Sequence, residues 1–290
     1  MKPYTGRFAP SPTGRLHTGS VLAAVGSYLD ARHCGGQWQV RIEDLDTPRV
    51  VPGSADEILK TLETLNLFWD GEVTRQSALL PRYEAALARL RAQGQTFECS
   101  CSRQSVAAQG ESGYPGTCRA GPRGPGPTAT RFRLRAGVLD FTDRIQGLCS
   151  QDLDRLGDVV IRRRDGLFAY QLAVVVDDAD QGITDVVRGA DLLDSTAWQM
   201  ELQRALGLEQ PRYAHLPVVT ATDGGKLAKS RCSLPPDLSN PGQVLLDTLV
   251  LLRQLPPAEL AGLGPAEVLE WAVLHWKPAR LHQIAAVQAI

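Results

Sequence analysis

The sequence predicts an α/β fold with a cysteine-bearing insertion and a small helical tail. Three observations carry that prediction. Residues 6–42 read as a strand, a helix and a second strand. At Cys99–Thr128 the texture changes to cysteine, glycine and proline. Beyond Pro235 the chain reads as helical. The expected boundaries are a core over residues 1–235, interrupted by an insertion over 96–150, and a helical region over 236–290.

Each element has a local reason. Arg7-Phe8-Ala9 opens a buried strand at Gly6–Pro10, and Pro10 and Pro12 then force a turn. Ser20–His33 places Val21, Leu22, Val25 and Leu29 on one stripe, so a helix is expected, ended by Gly35-Gly36. Gln37–Ile42 alternates as a strand. Ser54 and Glu57 have the spacing of a capping box for a helix carrying Ile58, Leu62 and Leu65. A second helix over Leu80–Arg91 stops at Gly94. Past the insertion, Thr130–Leu153 reads as short strands. Asp158–Arg164 and Gln171–Val176 read as further strands or as a strand–helix pair. Ile183–Arg188 is a strand, Ala197–Leu206 a helix, and Leu216–Ala221 a strand turning at Asp223-Gly224-Gly225. In the tail, Asn240-Pro241 suits a helix start and Pro265–Trp276 is amphipathic.

The bulk properties exclude several classes. A chain of 290 residues, 43% hydrophobic and 22% charged, supports a packed core and not disorder. A net charge of −1 means that any nucleic-acid contact has to come from local patches. No apolar run reaches membrane-span length and none precedes the first prolines, so neither a membrane partner nor a secretory signal is expected. Six irregularly spaced cysteines do not form a disulfide scaffold, so a reducing cytoplasm is expected.

Two segments point to phosphate chemistry. Phe8-Ala9-Pro10-Ser11-Pro12-Thr13-Gly14-Arg15-Leu16-His17-Thr18-Gly19-Ser20 lies between a strand and a helix N-terminus. There an open parallel sheet places its ligand, and free backbone N–H groups attract phosphate. His17 can donate to a phosphate, and Gly19 admits a nucleotide close to the backbone. The second segment, Lys226-Leu227-Ala228-Lys229-Ser230, follows a glycine turn and offers two cations to a triphosphate. Neither a Walker loop nor a Gly-x-Gly-x-x-Gly motif is present.

Together these segments resemble the HIGH and KMSKS signatures of class I aminoacyl-tRNA synthetases. Ser20 replaces the last histidine of the first signature; Leu227 and Ala228 depart from the second. The resemblance implies a Rossmann-like catalytic domain in which a carboxylate attacks the α-phosphate of ATP, accompanied by magnesium. It implies catalytic roles for His17, Lys226 and Lys229, and ATP contacts from His17, Gly19, Ser20 and Lys229. Arg7–Gly14, Arg41–Asp46 and the stretch from Tyr170 through Val187–Asp191 are similar to glutamyl-tRNA synthetases. By that resemblance the run Arg7-Phe8-Ala9-Pro10-Ser11, with Glu43, Tyr170 and Arg188, holds glutamate. Arginines suit its carboxylates and Glu43 its ammonium; Arg188 is assigned to the side-chain carboxylate. Asp177, Asp178 and Asp180 read as solvated caps without a role.

Cys99, Cys101 and Cys118 fall in an element with little core of its own, which a metal staple would stabilise. Free buried thiols are the other reading. Tyr114, four residues before Cys118, could supply a fourth ligand, and relatives of this family resemble the arrangement, with a structural zinc on three cysteines and a tyrosine. Cys34, Cys149 and Cys232 read as small hydrophobes.

The stretch after Ser230 is short for an anticodon-reading region. In this the chain resembles the truncated paralogues of the family, the glutamyl-queuosine tRNA(Asp) synthetases. That implies activation of glutamate without tRNA, then transfer to queuosine at the wobble position, with the anticodon stem-loop of tRNA(Asp) as partner and the enzyme as a monomer. The alternatives are a catalytic domain charging tRNA(Glu), a non-catalytic tRNA-binding paralogue and another nucleotidyltransferase of this type. Arg131, Arg133, Arg135 and Arg162–Arg164 read equally as phosphate contacts or as solvated strand faces.

Overall fold

The computed structural model describes residues 2–108, 113–220 and 235–289. The signature loop with Lys226, Lys229 and Ser230, the turn before it and Cys232 lie outside the described residues. β1 (Thr5–Phe8) runs through the proline turn into α1 (Thr18–His33), which returns to β2 (Gln37–Ile42). There follow α2 (Ser54–Thr64), β3 (Thr74–Arg75), α3 (Leu80–Ala92) and β4 (Thr96–Cys99). The next segment holds α4 (Arg103–Ala107), β5 (Ala129–Phe132), the hairpin β6 (Val138–Asp143) and β7 (Gly147–Asp152), α5 (Leu153–Leu156) and β8 (Val159–Arg162). The chain continues through α6 (Tyr170–Asp180), β9 (Asp185–Gly189), α7 (Ser195–Leu206), β10 (Arg212–Leu216) and β11 (Val218–Thr220). α8 (Pro241–Leu251), α9 (Pro265–His275) and β12 (Ala286–Gln288) complete it.

β1 pairs in parallel with β2 and β2 with β3, while β9 pairs in parallel with β10. The two groups meet at β1 and β9, where Thr184 N–H donates to the Thr5 carbonyl at 2.9 Å. α1 packs across this junction and is buried on most of its surface, including Val21, Leu22, Val25 and Leu29. Gly26 permits the packing, because a Cβ there would stand 2.5 Å from Leu216 of β10. α8 and α9 cover the other side of α1, where Trp276 donates its indole N–H to Asp30 at 3.0 Å. β12 then lies parallel to β11. The tail thus supports the strand that leads to the second signature segment. Between α3 and α6, β4, β5 and β8 form an antiparallel sheet.

Local chemistry shifts several boundaries. α1 begins at Thr18, because the His17 side chain caps it by accepting from Ser20 N–H. Gln171–Val176 belongs to a helix, the strand–helix alternative. Two strands, β10 and β11, flank Pro217 where one was expected. The Ser54–Glu57 capping box does not form. Gly53 caps α2, and buried Ser54 instead donates to Gly14 O at 2.7 Å and accepts from Gly14 N–H at 3.0 Å. Glu57 pairs with Arg15. The residues expected to cap a helix therefore clamp the proline turn. Asn240 does cap α8 as expected, accepting from Gln243 N–H.

Candidate active site

The C-terminal ends of β1 and β9 and the N-terminus of α1 enclose a cavity of about 430 Å³. This is the place an open parallel sheet reserves for a ligand. Of the expected residues, Arg7, Phe8, Ala9, Pro10 and Ser11 line one wall, and His17, Gly19 and Ser20 a second. Tyr170 and Arg188 line the third. A neighbouring cleft of about 660 Å³ shares Ser11 and Tyr170 with the cavity and has Glu43 on its wall.

The wall at the start of α1 is mostly backbone. His17 Nδ1 accepts from Ser20 N–H at 3.3 Å, so the ring proton lies on Nε2 and donates to Ser20 Oγ at 3.0 Å. Burial lowers the His17 pKa against the opposing pull of Asp191, favouring this neutral ring. Ser20 therefore fills the histidine position of the signature by holding His17. A Cβ on Gly19 would stand 3.1 Å from the His17 ring, so glycine admits the ring fold as well as a ligand.

Beneath Ser11 lies a buried ionic cluster. Arg7 donates to Asp178 at 3.2 Å and to Val187 O at 3.4 Å. Arg41, fully buried, reaches Asp178 at 2.8 Å, Glu43 at 3.2 Å and Asp177 at 3.6 Å, and also bonds Gln181. Asp177 accepts from Tyr83 and Gln76. Asp177 and Asp178 are thus no solvated caps. They turn inward from α6 because two arginines, on β1 and β2, need carboxylates; only Asp180 is partly exposed, on Arg82. Burial works against the Asp178 carboxylate, but Arg7 and Arg41 outweigh it and hold its pKa below the usual range. Burial pushes the Glu43 carboxyl up to about 7 despite Arg41 and Arg7.

Arg188 is different. It is 5% exposed, and its partners are all neutral. They are Gln199 Oε1 at 2.7 Å, Thr196 Oγ1 at 2.9 Å, His215 Nε2 at 3.0 Å, Tyr170 Oη at 3.3 Å and Leu192 O at 3.3 Å. A buried cation without a carboxylate is costly unless an anion joins it. Sequence reasoning missed Arg41, Asp177, Asp178, Gln199, Thr196 and His215 as parts of the site. No local pattern marked Arg41, which shares the polar face of β2 with Gln37 and Gln39.

Cys99, Cys101 and Cys118 converge, with sulfurs all within 4.8 Å of one another. Tyr114 Oη lies 3.4 Å from Cys99 Sγ and 3.9 Å from Cys101 Sγ, and accepts from Cys118 N–H at 2.6 Å. A tetrahedral zinc–thiolate site spaces its sulfurs by about 3.8 Å, so the donor set fits a metal. Burial opposes ionisation of Cys118, yet hydrogen bonds from Tyr114, Ser100 and Cys101 bring its thiol down to about 6. The Arg131 guanidinium stacks 3.8 Å over the Tyr114 ring. Arg133, Arg135 and Arg162–Arg164 each bond a neighbouring carboxylate or carbonyl. Cys34, by contrast, is exposed and packs as no hydrophobe.

No helix among the described residues is long and apolar enough to cross a membrane. Residues 4–239 match the family described as tRNA synthetases class I (E and Q), catalytic domain. A glutamyl-Q tRNA(Asp) synthetase of Ectopseudomonas mendocina is 53% identical over 96% of this chain and 95% of its own length. One of Geobacter sulfurreducens is 52% identical over 98% of this chain and 95% of its own length. Among solved structures, a glutamate-tRNA synthetase from Elizabethkingia anophelis superposes with a TM-score of 0.82 at 25% identity, over 100% of this chain and 68% of that one. A glutamate tRNA ligase from Elizabethkingia meningosepticum, solved with its amino acid, gives the same TM-score over 67% of its length. The parallel sheet, the ligand cavity at its C-terminal edge and these matches have one common explanation: the chain belongs to the class I tRNA synthetases of the E and Q type.

Proposed function

We propose that this chain is a ligase that activates glutamate with ATP, without tRNA, and then transfers the glutamyl group to queuosine in the anticodon of tRNA(Asp). The observation that carries the glutamate reading is Arg188, a buried cation with neutral partners on the wall of a cavity that a helix N-terminus also faces. The acceptor comes from the two half-identical relatives, which bear that activity in their names.

In this reading Arg188 and Tyr170 take the side-chain carboxylate, and the Arg7–Ser11 wall and Glu43 orient the α-carboxylate and ammonium. An α-carboxylate oxygen attacks the α-phosphorus of ATP, the bond to the β-phosphate oxygen breaks, and pyrophosphate leaves. Backbone N–H groups of Thr18 and Gly19 and the Ser20 hydroxyl, itself held by the His17 ring, keep the phosphates in place, so catalysis is positioning and charge stabilisation. Lys226 and Lys229, by their place in the signature, draw off the leaving pyrophosphate. Magnesium bound with ATP offsets the triphosphate charge. A nucleophile of the base then attacks the acyl carbon and AMP departs. The cleft lined by Arg49, Arg131 and Arg164 opens beside Ser11 and Tyr170 and offers the approach. Cys99, Cys101, Cys118 and Tyr114 form a closed four-donor set suited to structural zinc, and free thiols there suit a reducing cytoplasm. The domain reading is a core over 1–235 with the insertion at 96–150 and a helical region over 236–290.

The test is glutamate-dependent exchange of pyrophosphate into ATP without tRNA, followed by labelled glutamate with queuosine-containing tRNA(Asp) or tRNA(Glu). Exchange without tRNA and label on tRNA(Asp) are expected. Label on tRNA(Glu) alone would show a conventional charging enzyme, and no exchange under any condition a binding paralogue. Metal analysis of the purified protein is expected to give one zinc per chain, lost in Cys101→Ala.

A further inference from the structure

Arg188 sits on β9, and its five N–H groups fall into two sets. Nε–H donates to His215 Nε2 on the adjacent strand β10 at 3.0 Å. Each terminal nitrogen makes one short bond, to Gln199 at 2.7 Å or to Thr196 at 2.9 Å. Each also makes one long bond, to Tyr170 Oη or to Leu192 O, both at 3.3 Å. The long-bond partners Tyr170 and Leu192 line the cavity; Gln199, Thr196 and His215 do not. The guanidinium is therefore gripped from behind, and one weakly held N–H on each terminal nitrogen is left at the cavity wall. That pair matches the two oxygens of a carboxylate.

The grip from behind depends on a tautomer. His215 can accept from Arg188 only if Nε2 carries no proton. Asp143 Oδ2 lies 2.6 Å from His215 Nδ1 and holds the ring proton there. Asp143 cannot turn away, because its Oδ1 accepts backbone N–H groups of Ile145 (2.9 Å), Gln146 (2.8 Å) and His215 (3.1 Å). Both side chains are fully shielded from solvent. Burial lowers the His215 pKa against the opposing pull of Asp143, which keeps the ring neutral beside the arginine.

We propose that His215, fixed in one neutral tautomer by Asp143, is a positioning residue that aims Arg188 at the side-chain carboxylate and so selects glutamate over glutamine. The proposal rests on the reading that Arg188 receives that carboxylate. The experiment measures pyrophosphate exchange for the full chain carrying Arg188→Ala, His215→Phe, His215→Gln or Asp143→Asn. His215→Phe keeps a ring but no acceptor. It should raise the KM for glutamate about 10–100-fold, the usual reach of a supporting contact, and lower the preference for glutamate over glutamine. The kcat and the KM for ATP should stay within about twofold. His215→Gln, whose amide oxygen can accept from Nε–H, should recover most of the loss, which a purely structural role would not predict. An unchanged KM for glutamate in His215→Phe, with a raised KM in Arg188→Ala, overturns the positioning role and leaves the Arg188 reading standing. An unchanged KM in Arg188→Ala overturns both. If His215→Phe does not fold, the isosteric Asp143→Asn decides. Its amide donates to Nδ1 and moves the ring proton to Nε2, facing Arg188, so the KM for glutamate must rise; an unchanged value overturns the proposal.

Discussion

The cavity has two arginine-bearing sides built on opposite rules. On the β1–β2 side, Arg7 and Arg41 face Asp177, Asp178 and Glu43, and opposite charges are matched within the protein. On the β9 side, Arg188 meets only neutral oxygens and an imidazole. Buried charges are tolerated when paired, and breaking a pair costs far more than removing it whole. The first side is therefore charge-balanced before any substrate arrives. In the proposed reading the second is a receptor, whose partner is an anion from outside. The difference separates residues that look alike in a sequence.

The largest expected effect lies on the paired side. Asp178→Ala leaves Arg7 without a carboxylate and takes one of three from Arg41, and unfolding by urea should show a loss of about 3–5 kcal/mol. Arg188→Met is the contrasting experiment. It removes a buried charge that no carboxylate compensates but takes the donor from buried Gln199 and His215, so the loss should be about 1–3 kcal/mol, smaller than for Asp178→Ala. Glutamate binding should nevertheless collapse, with a KM in pyrophosphate exchange about 100-fold higher, the scale of a lost charge-assisted contact. If both variants lose stability equally, the division into a charge-balanced side and a receptor is wrong.

Glu43 sits between the two rules, since it pairs with Arg41 and also borders the cavity's neighbouring cleft. Its carboxyl titrates at about 7 because burial penalises the charge. The substrate ammonium requires the ionised form, which is present above that pH and lost below it. The KM for glutamate should therefore rise as pH falls from 8 to 6, approaching about tenfold per unit below 7. Glu43→Gln should give a higher and flat profile. A wild-type KM that does not change over this range would remove Glu43 from ammonium binding.

The contrast also explains what the sequence could disclose. The segment Pro10–Ser20 was legible because its meaning is local: prolines, a glycine and a histidine at a helix start. The α/β order was legible from periodicity for the same reason. Asp177 and Asp178 were misread because two adjacent carboxylates near a helix end look like caps. What buries them is Arg7 and Arg41, more than 130 positions earlier, and no local pattern reports that. His215 and Asp143 are 72 positions apart and meet only because the end of β6 packs against β10. Ser54 was read as a cap by its spacing to Glu57, whereas its partner is Gly14, 40 positions away. Single residues with long-range partners were invisible, while segments carrying their own geometry were not.

The smallest effect concerns the remaining wall, at His17–Ser20, which in the proposed reading meets the phosphates largely with backbone N–H groups. Such a wall works only if its entry is held in shape. Ser54 does this by donating to the Gly14 carbonyl and accepting from the Gly14 N–H, while itself 2% exposed. Ser54→Ala leaves α2 intact, because its hydroxyl does not cap the helix. It removes two hydrogen bonds from a buried turn, at a cost of about 1–2 kcal/mol in a thermal or urea melt. The KM for ATP should rise about threefold, on the scale of a fraction of that energy. The KM for glutamate should stay where it is, because both arginine sides remain as built. A rise in both constants would mean that the phosphate wall and the arginine sides move together, and that their separate construction does not give separate function.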